Sequence, residues 1–391
     1  MPDKNKKESR GLARIRNGIR ARLQVGESAL RYGICSLFPR LDKRESWVIC
    51  ERGTDARDNG YGLYRYLVEN HPELRVHYLI TPDSPDRPKV EAHAVDFGSW
   101  KNYRVVAKAD KIISTHCYTA LPVKNEKLWR KLGIARRFYF LQHGITTARL
   151  PYLFGDKTKM RLFCCAAIPE YDYVRRNFLH PEQVVRCTGL ARYDYLLPFT
   201  CKRQILVMPT WRRYLQSEEQ LLQSEYFRAW KGLMESERLQ RWLAETGTQL
   251  IFYPHYEMQP WLTWFSTGND NVILADFQYY DVQQLLKESL LLVTDYSSVC
   301  FDFAYMKKPA VYFQFDTEQY HAQHYRTGYF RYEGEGFGPV VQTVEQVVDE
   351  ILARGEAQFA MEPRYSGRVD AFFAHRDRDN CRRIYQAITE Q

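Results

Sequence analysis

Short apolar runs that alternate with helix-prone stretches constrain this chain more than any other feature. Such runs fall at residues 46–50, 76–80, 94–97, 111–115, 138–141, 162–166 and 184–188. A second series follows at 204–208, 249–253, 272–274, 290–294 and 310–313. Near-continuous Val, Ile, Leu and aromatic runs of this length fit strands buried on both faces. Their alternation with helical segments predicts parallel βαβ units. At 391 residues the chain exceeds a single ordinary core. The expected architecture is α/β and GT-B-like, with two Rossmann-like doubly wound domains and a cleft between them. They span 45–200 and 201–368, joined around Leu196-Leu-Pro-Phe-Thr-Cys-Lys-Arg203. A charged helical end at 369–391 has room to cross back over the first domain.

Charge marks off a further segment. Residues 1–44 carry twelve Lys and Arg against four Asp and Glu, so +8 of the net +9 lies there. Leu12, Ile15, Ile19 and Leu23 recur at helical spacing among Arg14, Arg16, Arg20, Arg22 and Arg31. A basic amphipathic helix of this kind suits the interface of an anionic membrane. The plain alternatives are a solvated tail or a helix packed on its own domain. No aromatic-interleaved basic patch continues into the body, which argues against nucleic acid as a partner. No apolar run reaches the roughly 20 residues of a membrane span, and no secretory leader pattern is present. Nine scattered cysteines without a CxxC read as reduced thiols. The expected location is therefore cytoplasmic, peripheral on the membrane's inner face.

Three segments at strand ends carry the chemistry. They are Gln142-His143-Gly144, Tyr253-Pro-His255 and Thr294-Asp295-Tyr-Ser297-Ser298. Ligands of open α/β sheets bind beyond the carboxyl ends of the strands. His143 there reads as a general base for a hydroxyl, because imidazole titrates near neutrality. The bland reading is a turn-capping histidine. His255 reads as a group that holds or protonates a phosphate oxygen, against a partly buried histidine bonded to backbone. The other histidines, His116 among them, read as surface or structural. Ser297 and Ser298 sit at a predicted helix start, where free N–H groups and the dipole favour phosphate; capping alone needs one serine. Thr210 and Arg212 in Pro209-Thr-Trp-Arg212, and Arg326 in Tyr325-Arg-Thr-Gly328, read as further phosphate contacts. Asp295 and Asp194 read as structural supports near the site. No metal is expected: the one Asp-x-Asp, Asp377-Arg-Asp379, falls where helical geometry splits the carboxylates. Walker, GxGxxG and GxSxG patterns are absent.

Taken in order, Glu51-Arg-Gly…Asp58-Asn59-Gly60, Gln142-His143-Gly144, Gly189-Leu-Ala-Arg192-Tyr-Asp194, Pro209-Thr210-Trp-Arg212, Pro254-His255, Thr294–Ser298 and Gly336-Phe-Gly338-Pro339 resemble the CDP-glycerol glycerophosphotransferase family of teichoic-acid primases and polymerases. The resemblance covers roughly residues 45–365. It implies a metal-independent GT-B-like enzyme with CDP-glycerol or a related CDP-polyol in the cleft. It implies His143 as the base, an acceptor oxygen attacking the β-phosphorus, and CMP leaving. His255, Ser297, Ser298 and Arg326 would hold the pyrophosphate, and Asp281 falls where the family places donor contacts. It implies a lipid-linked or oligomeric polyol-phosphate or saccharide acceptor at a membrane surface. Where the family often reads His-Gly-Thr-Pro-Leu-Lys, this chain reads His143-Gly-Ile-Thr-Thr-Ala-Arg149. Glycerol and ribitol both stay open, as do primase and polymerase, teichoic acid and capsule. A glycosyltransferase using a nucleotide sugar and a non-catalytic membrane scaffold are the competing readings.

Overall fold

The computed structural model describes residues 4–40, 42–323 and 328–391, without the side chains of 4–15, 17, 321 and 323. Thirteen strands form two wholly parallel sheets. The first holds β1 (Ser46–Cys50), β2 (Arg75–Ile80), β3 (Ala94–Asp96), β4 (Lys111–Ser114), β5 (Phe138–Phe140), β6 (Leu162–Cys165) and β7 (Val185–Cys187), in the order β3-β2-β1-β4-β5-β6-β7. The second holds β8 (Gln204–Met208), β9 (Gln249–Phe252), β10 (Val272–Leu274), β11 (Leu291–Thr294), β12 (Ala310–Phe313) and β13 (Val340–Val341), in the order β10-β9-β8-β11-β12-β13. Both orders reverse direction at a switch point, between β1 and β4 and between β8 and β11. That is where doubly wound sheets open a crevice for ligands.

The apolar runs become strands because both faces of each sheet are covered. Trp47 and Ile49 of β1 point into one cluster, Val48 and Cys50 into the other. Ile205 and Val207 of β8 are likewise separated from Leu206. The expected strands appear with ends shifted by a residue or two. β13 was not expected, because a two-residue strand carries no readable period. All nine cysteines are free.

The amino-terminal helix α1 (Lys4–Leu37) has two faces. Ser28, Tyr32 and Cys35 are buried. Tyr32 Oη donates to the Leu132 carbonyl at 3.2 Å and accepts from Arg137 at 2.8 Å. The opposite face leaves Ile19, Leu23, Leu30, Ile34 and Leu37 exposed, up to 84% for Leu37. At 100° per residue these side chains fall within one narrow stripe. Ile19 and Leu23 thus belong to a stripe that runs on to Leu37, while the side chains of Leu12 and Ile15 lie outside the described residues. No helix among the described residues is long and apolar enough to cross a membrane.

Two more helices frame the site. α2 (Asn59–Asn70) starts on Asp58, whose carboxylate accepts from the Asn59 amide at 2.7 Å. After α3 (Trp100–Lys108), which packs against α1, α4 (Ile168–Asn177) follows β6. In the second domain α5 (Val282–Glu288) and α6 (Val299–Tyr305) flank β11. The last helix, α7 (Asn380–Thr389), returns to the first domain. Cys381, Ile384, Ala387 and Ile388 enter the cluster around Trp47, and Tyr385 stacks on His71 at 3.7 Å. Asp194 fastens it, accepting from the Asn380 amide at 2.9 Å, the Asn380 side chain at 2.7 Å and the Cys381 amide at 2.7 Å.

Candidate active site

Two buried glutamates shape the loops of the first domain. Glu51, just past β1, accepts from the amides of Arg57 (3.0 Å), Asp58 (3.0 Å) and Tyr61 (2.8 Å), which wraps loop 51–61 around one carboxylate. A Cβ on Gly60 would come 2.8 Å from Glu51 Cγ, so this wrap needs glycine. Burial, with Asp58 and Asp55 nearby, pushes the Glu51 carboxyl well above its usual range. Glu170, on α4, accepts from the Thr146 amide (2.6 Å), the Ala166 amide (2.8 Å) and the Gln142 side chain (2.9 Å). It therefore holds the turn that carries His143, and burial pushes it up to about 7.

His143 presents a ring 54% exposed, with Nδ1 2.5 Å from Asp58 Oδ2. A carboxylate there fixes Nδ1 as the protonated nitrogen and leaves Nε2 as the base. Arg192 completes the support. Its Nη1 donates to Asp58 Oδ1 at 2.8 Å and to the His143 carbonyl at 2.7 Å. Its Nε and Nη2 clasp Asp302 of α6 at 2.5 and 2.8 Å. Burial alone would raise Asp58, yet His143 and Arg192 hold it well below the ordinary carboxylate range. The Asn59 side chain donates to the Gln142 carbonyl at 2.9 Å and accepts from the Arg192 amide at 3.0 Å, which locks the same three segments together. His116, expected to be structural or on the surface, instead sits beside His143, ring centroids 5.1 Å apart. Burial, then His143 and Arg52, lower it to about 3, so His116 is a neutral ring near neutral pH.

The second domain closes on this group. A Cβ at Gly144 would start 3.0 Å from Ser298 Oγ, which puts the Gln-His-Gly turn and the Ser297-Ser298 turn in contact. Ser297 is half-buried and Ser298 exposed. His255 follows β9 and caps its own turn, accepting from the Glu257 amide at Nδ1 (3.3 Å), with Trp211 stacked 5.8 Å away. Burial, then Arg52 and His143, lower it to about 4. It is thus a neutral ring whose Nε2–H is available as a donor. Thr210 offers its amide to Asp295 Oδ1 at 2.8 Å. Asp281 caps α5 through the Gln284 amide (3.1 Å) and faces Lys89 of the first domain at 3.4 Å. Arg57 likewise reaches across to the Phe277 carbonyl at 2.9 Å.

Arg212 is placed differently from the sequence expectation. Its side chain is fully buried, with Asp316 at 2.6 and 3.0 Å, Asp295 at 2.9 Å and the Thr210 carbonyl at 2.7 Å. Its Nε, Nη1 and Nη2 each donate to a protein oxygen, so it braces the Thr210 loop and does not face the cleft as a phosphate ligand. The reason is local: Asp295 and Asp316 are themselves buried, and an unpaired buried carboxylate is costly. Arg326 lies outside the described residues. Among the described residues no group of three or more His, Cys, Asp or Glu could hold a metal ion.

Comparison with known proteins shows the family and the fold. Residues 175–390 match the family described as CDP-Glycerol:Poly(glycerophosphate) glycerophosphotransferase. The chain is 30% identical over 371 residues to the minor teichoic acid biosynthesis protein GgaB of Bacillus subtilis (strain 168), covering 90% of this chain and 41% of that protein. It is 27% identical over 378 residues to a teichoic acid poly(glycerol phosphate) polymerase of Staphylococcus epidermidis, covering 86% of this chain and 50% of that protein. The chain thus spans half or less of these relatives' lengths. A solved structure of the wall teichoic acid polymerase TagF superposes with a TM-score of 0.70 at 18% identity, covering 96% of this chain and 98% of that one. It shares the fold.

The two neutral histidines give a pH prediction. His116 and His255 take a proton only near about 3 and about 4 when folded, against about 6.5 when free. Below about 6.5 the unfolded chain therefore binds more protons, and stability falls as pH drops toward 4. Glu170, pushed up to about 7, works in the opposite sense: its contribution is full below its unfolded value and is lost as pH rises through 7. Urea midpoints near neutral pH and at about pH 5 should fall less for His116→Asn and His255→Asn than for the unaltered chain. Equal falls would mean these rings are not buried neutral groups.

Proposed function

This chain belongs to the CDP-glycerol:poly(glycerophosphate) glycerophosphotransferase family, and from that premise we propose that it transfers glycerol phosphate from CDP-glycerol to a hydroxyl of a cell-surface polymer and releases CMP. The observation that carries this reading is the Asp58–His143 pair, with Nδ1 held at 2.5 Å and the Ser298 turn against Gly144. The acceptor hydroxyl gives its proton to His143 Nε2 as its oxygen bonds to the β-phosphorus. The bond from that phosphorus to the bridging oxygen breaks, and CMP leaves as the phosphate anion. Asp58 stabilises the imidazolium that forms, as a carboxylate does beside a histidine base. Ser297, Ser298, the Thr210 loop and the His255 Nε2–H are the donors for the pyrophosphate oxygens, with Arg326 completing the set. Asp281, at the start of α5, serves the donor as well in this reading. Arg52, packed 5.5 Å over Tyr256 and within range of His116 and His255, supplies positive charge at the cleft.

The acceptor in this reading is a lipid-linked or growing teichoic acid or capsular polymer. The exposed stripe from Ile19 to Leu37 lies on an anionic membrane surface, with Arg16, Arg20 and Arg22 exposed beside it. Buried apolar area and roughly 1 kcal/mol per basic residue then act together.

Two experiments test this. Acceptor-dependent CMP release from CDP-glycerol, with CDP-ribitol alongside, should drop by about 10²–10⁴-fold in His143→Ala. Asp58→Asn keeps the shape but offers the imidazolium no anion, so it should lower kcat on the order of 10²-fold or more with little change in donor KM. Absence of CMP from both donors with several acceptors would sink the assignment and turn the search to nucleotide sugars. Separately, Leu23→Glu with Leu30→Glu should abolish sedimentation with phosphatidylglycerol vesicles. Undiminished sedimentation would contradict the membrane role of α1.

A further inference from the structure

A groove of about 590 Å³ runs between α1 and the loop that follows β4. On the α1 side it is lined by Gln24, Glu27 and Arg31, and on the loop side by Pro122 and Lys124, with Tyr103 of α3 as its floor. Arg31 lies 5.1 Å over Trp100 and 5.8 Å over Tyr103, and Glu27 pins it at 2.6 Å. Its guanidinium is therefore held in place and not waving in solvent. Lys124 is exposed on the opposite wall. With Glu27 paired to Arg31, Lys124 leaves the groove one net positive charge, and the Gln24 amide lies on the α1 wall beside them, which suits a ligand that carries both negative charge and hydroxyl groups.

The position of the groove matters as much as its lining. The loop that forms its outer wall begins at Thr115 and His116, so one segment joins the groove to the ring that lies beside His143. Lys124 is near enough to act on the charge of His116. Its eight-residue separation caps the distance at about 28 Å even if fully extended. On α1, the residues that line the groove turn away from the exposed apolar stripe. A chain lying in the groove would thus run between the stripe-bearing helix and the body of the first domain, beside the segment that leads back to His116.

We propose that this groove holds the phosphodiester chain of the acceptor, the anionic polyol-phosphate segment behind the attacking hydroxyl. This rests on the transferase reading above and adds to it the acceptor's place and polarity. Arg31 and Lys124 each take a phosphate, and Gln24 takes polyol hydroxyls. The site thereby favours acceptors that carry a phosphodiester chain over a single glycerol phosphate.

The test uses the full chain, a soluble oligo(glycerol phosphate) and glycerol 3-phosphate, with binding measured by calorimetry and turnover by CMP release. The unaltered chain should bind the oligomer more tightly than the monomer. Lys124→Glu, an exposed position where folding is unaffected, and Arg31→Glu should each weaken the oligomer by about tenfold. The KM for CDP-glycerol should stay unchanged, and added salt should shrink the difference. Oligomer binding that is absent, or equal in variants and unaltered chain, overturns the groove even where CMP is released. Loss of vesicle binding in Lys124→Glu with oligomer binding intact also overturns it, assigning the groove to a lipid headgroup. Failure of CMP release with every acceptor counts against the transferase reading alone, because the binding measurement judges the groove without turnover.

Discussion

One guanidinium holds the site together. Arg192 joins Asp58, the His143 carbonyl and Asp302, and so ties the His143 turn of the first domain to the helix that follows the Ser297-Ser298 turn of the second. Burying such a cluster is costly unless every charge is paired, and removing one partner of a buried pair costs roughly 3–5 kcal/mol. The cluster of Asp58, Arg192 and Asp302 carries one net negative charge while His143 is neutral. A proton arriving on His143 neutralises it. The proposed reaction puts its proton on the ring that adjoins this charge. The same network that makes the domains meet also holds the His143 turn in place.

The second domain repeats the motif with a different result. Arg212 sits between Asp295 and Asp316, again one cation between two buried carboxylates. Among the described residues no histidine lies on this cluster, and its leftover negative charge is met by the amides of Thr210 and Tyr296. Positive charge for a pyrophosphate must then come from elsewhere in the cleft. Arg52 is the described candidate, since it acts on both His116 and His255. A sequence cannot separate an arginine that faces a ligand from one that braces a loop. Both follow a strand and sit among polar residues, and only burial tells them apart.

Other features divide along the same line. The strands were readable because each is apolar on both faces, and His143 and His255 because each ends a strand. Ser297 and Ser298 were readable as a helix start. The partners of His143 were not, although Asp58 and Arg192 stand in motifs that the sequence displays. Asp58 lies 85 residues from His143 and Arg192 another 49 beyond it, so no local spacing links them. His116 lacked a glycine or proline signal, and only the pairing of β4 with β5 brings it beside His143. The α1 stripe was half legible: the spacing through Leu23 was plain, but its continuation to Leu37 needed the opposite face to be seen packed on the domain.

The most direct test of the account is a double-mutant cycle on acceptor-dependent CMP release between Asp58→Asn and Asp302→Asn. The two carboxylates do not touch, and they meet only through Arg192. If Arg192 couples the base to the phosphate turn, the two losses in kcat will be strongly non-additive, with an interaction of about 0.5–3 kcal/mol. Losses that simply add would show that Arg192 only braces the fold and that His143 works without the second domain's carboxylate.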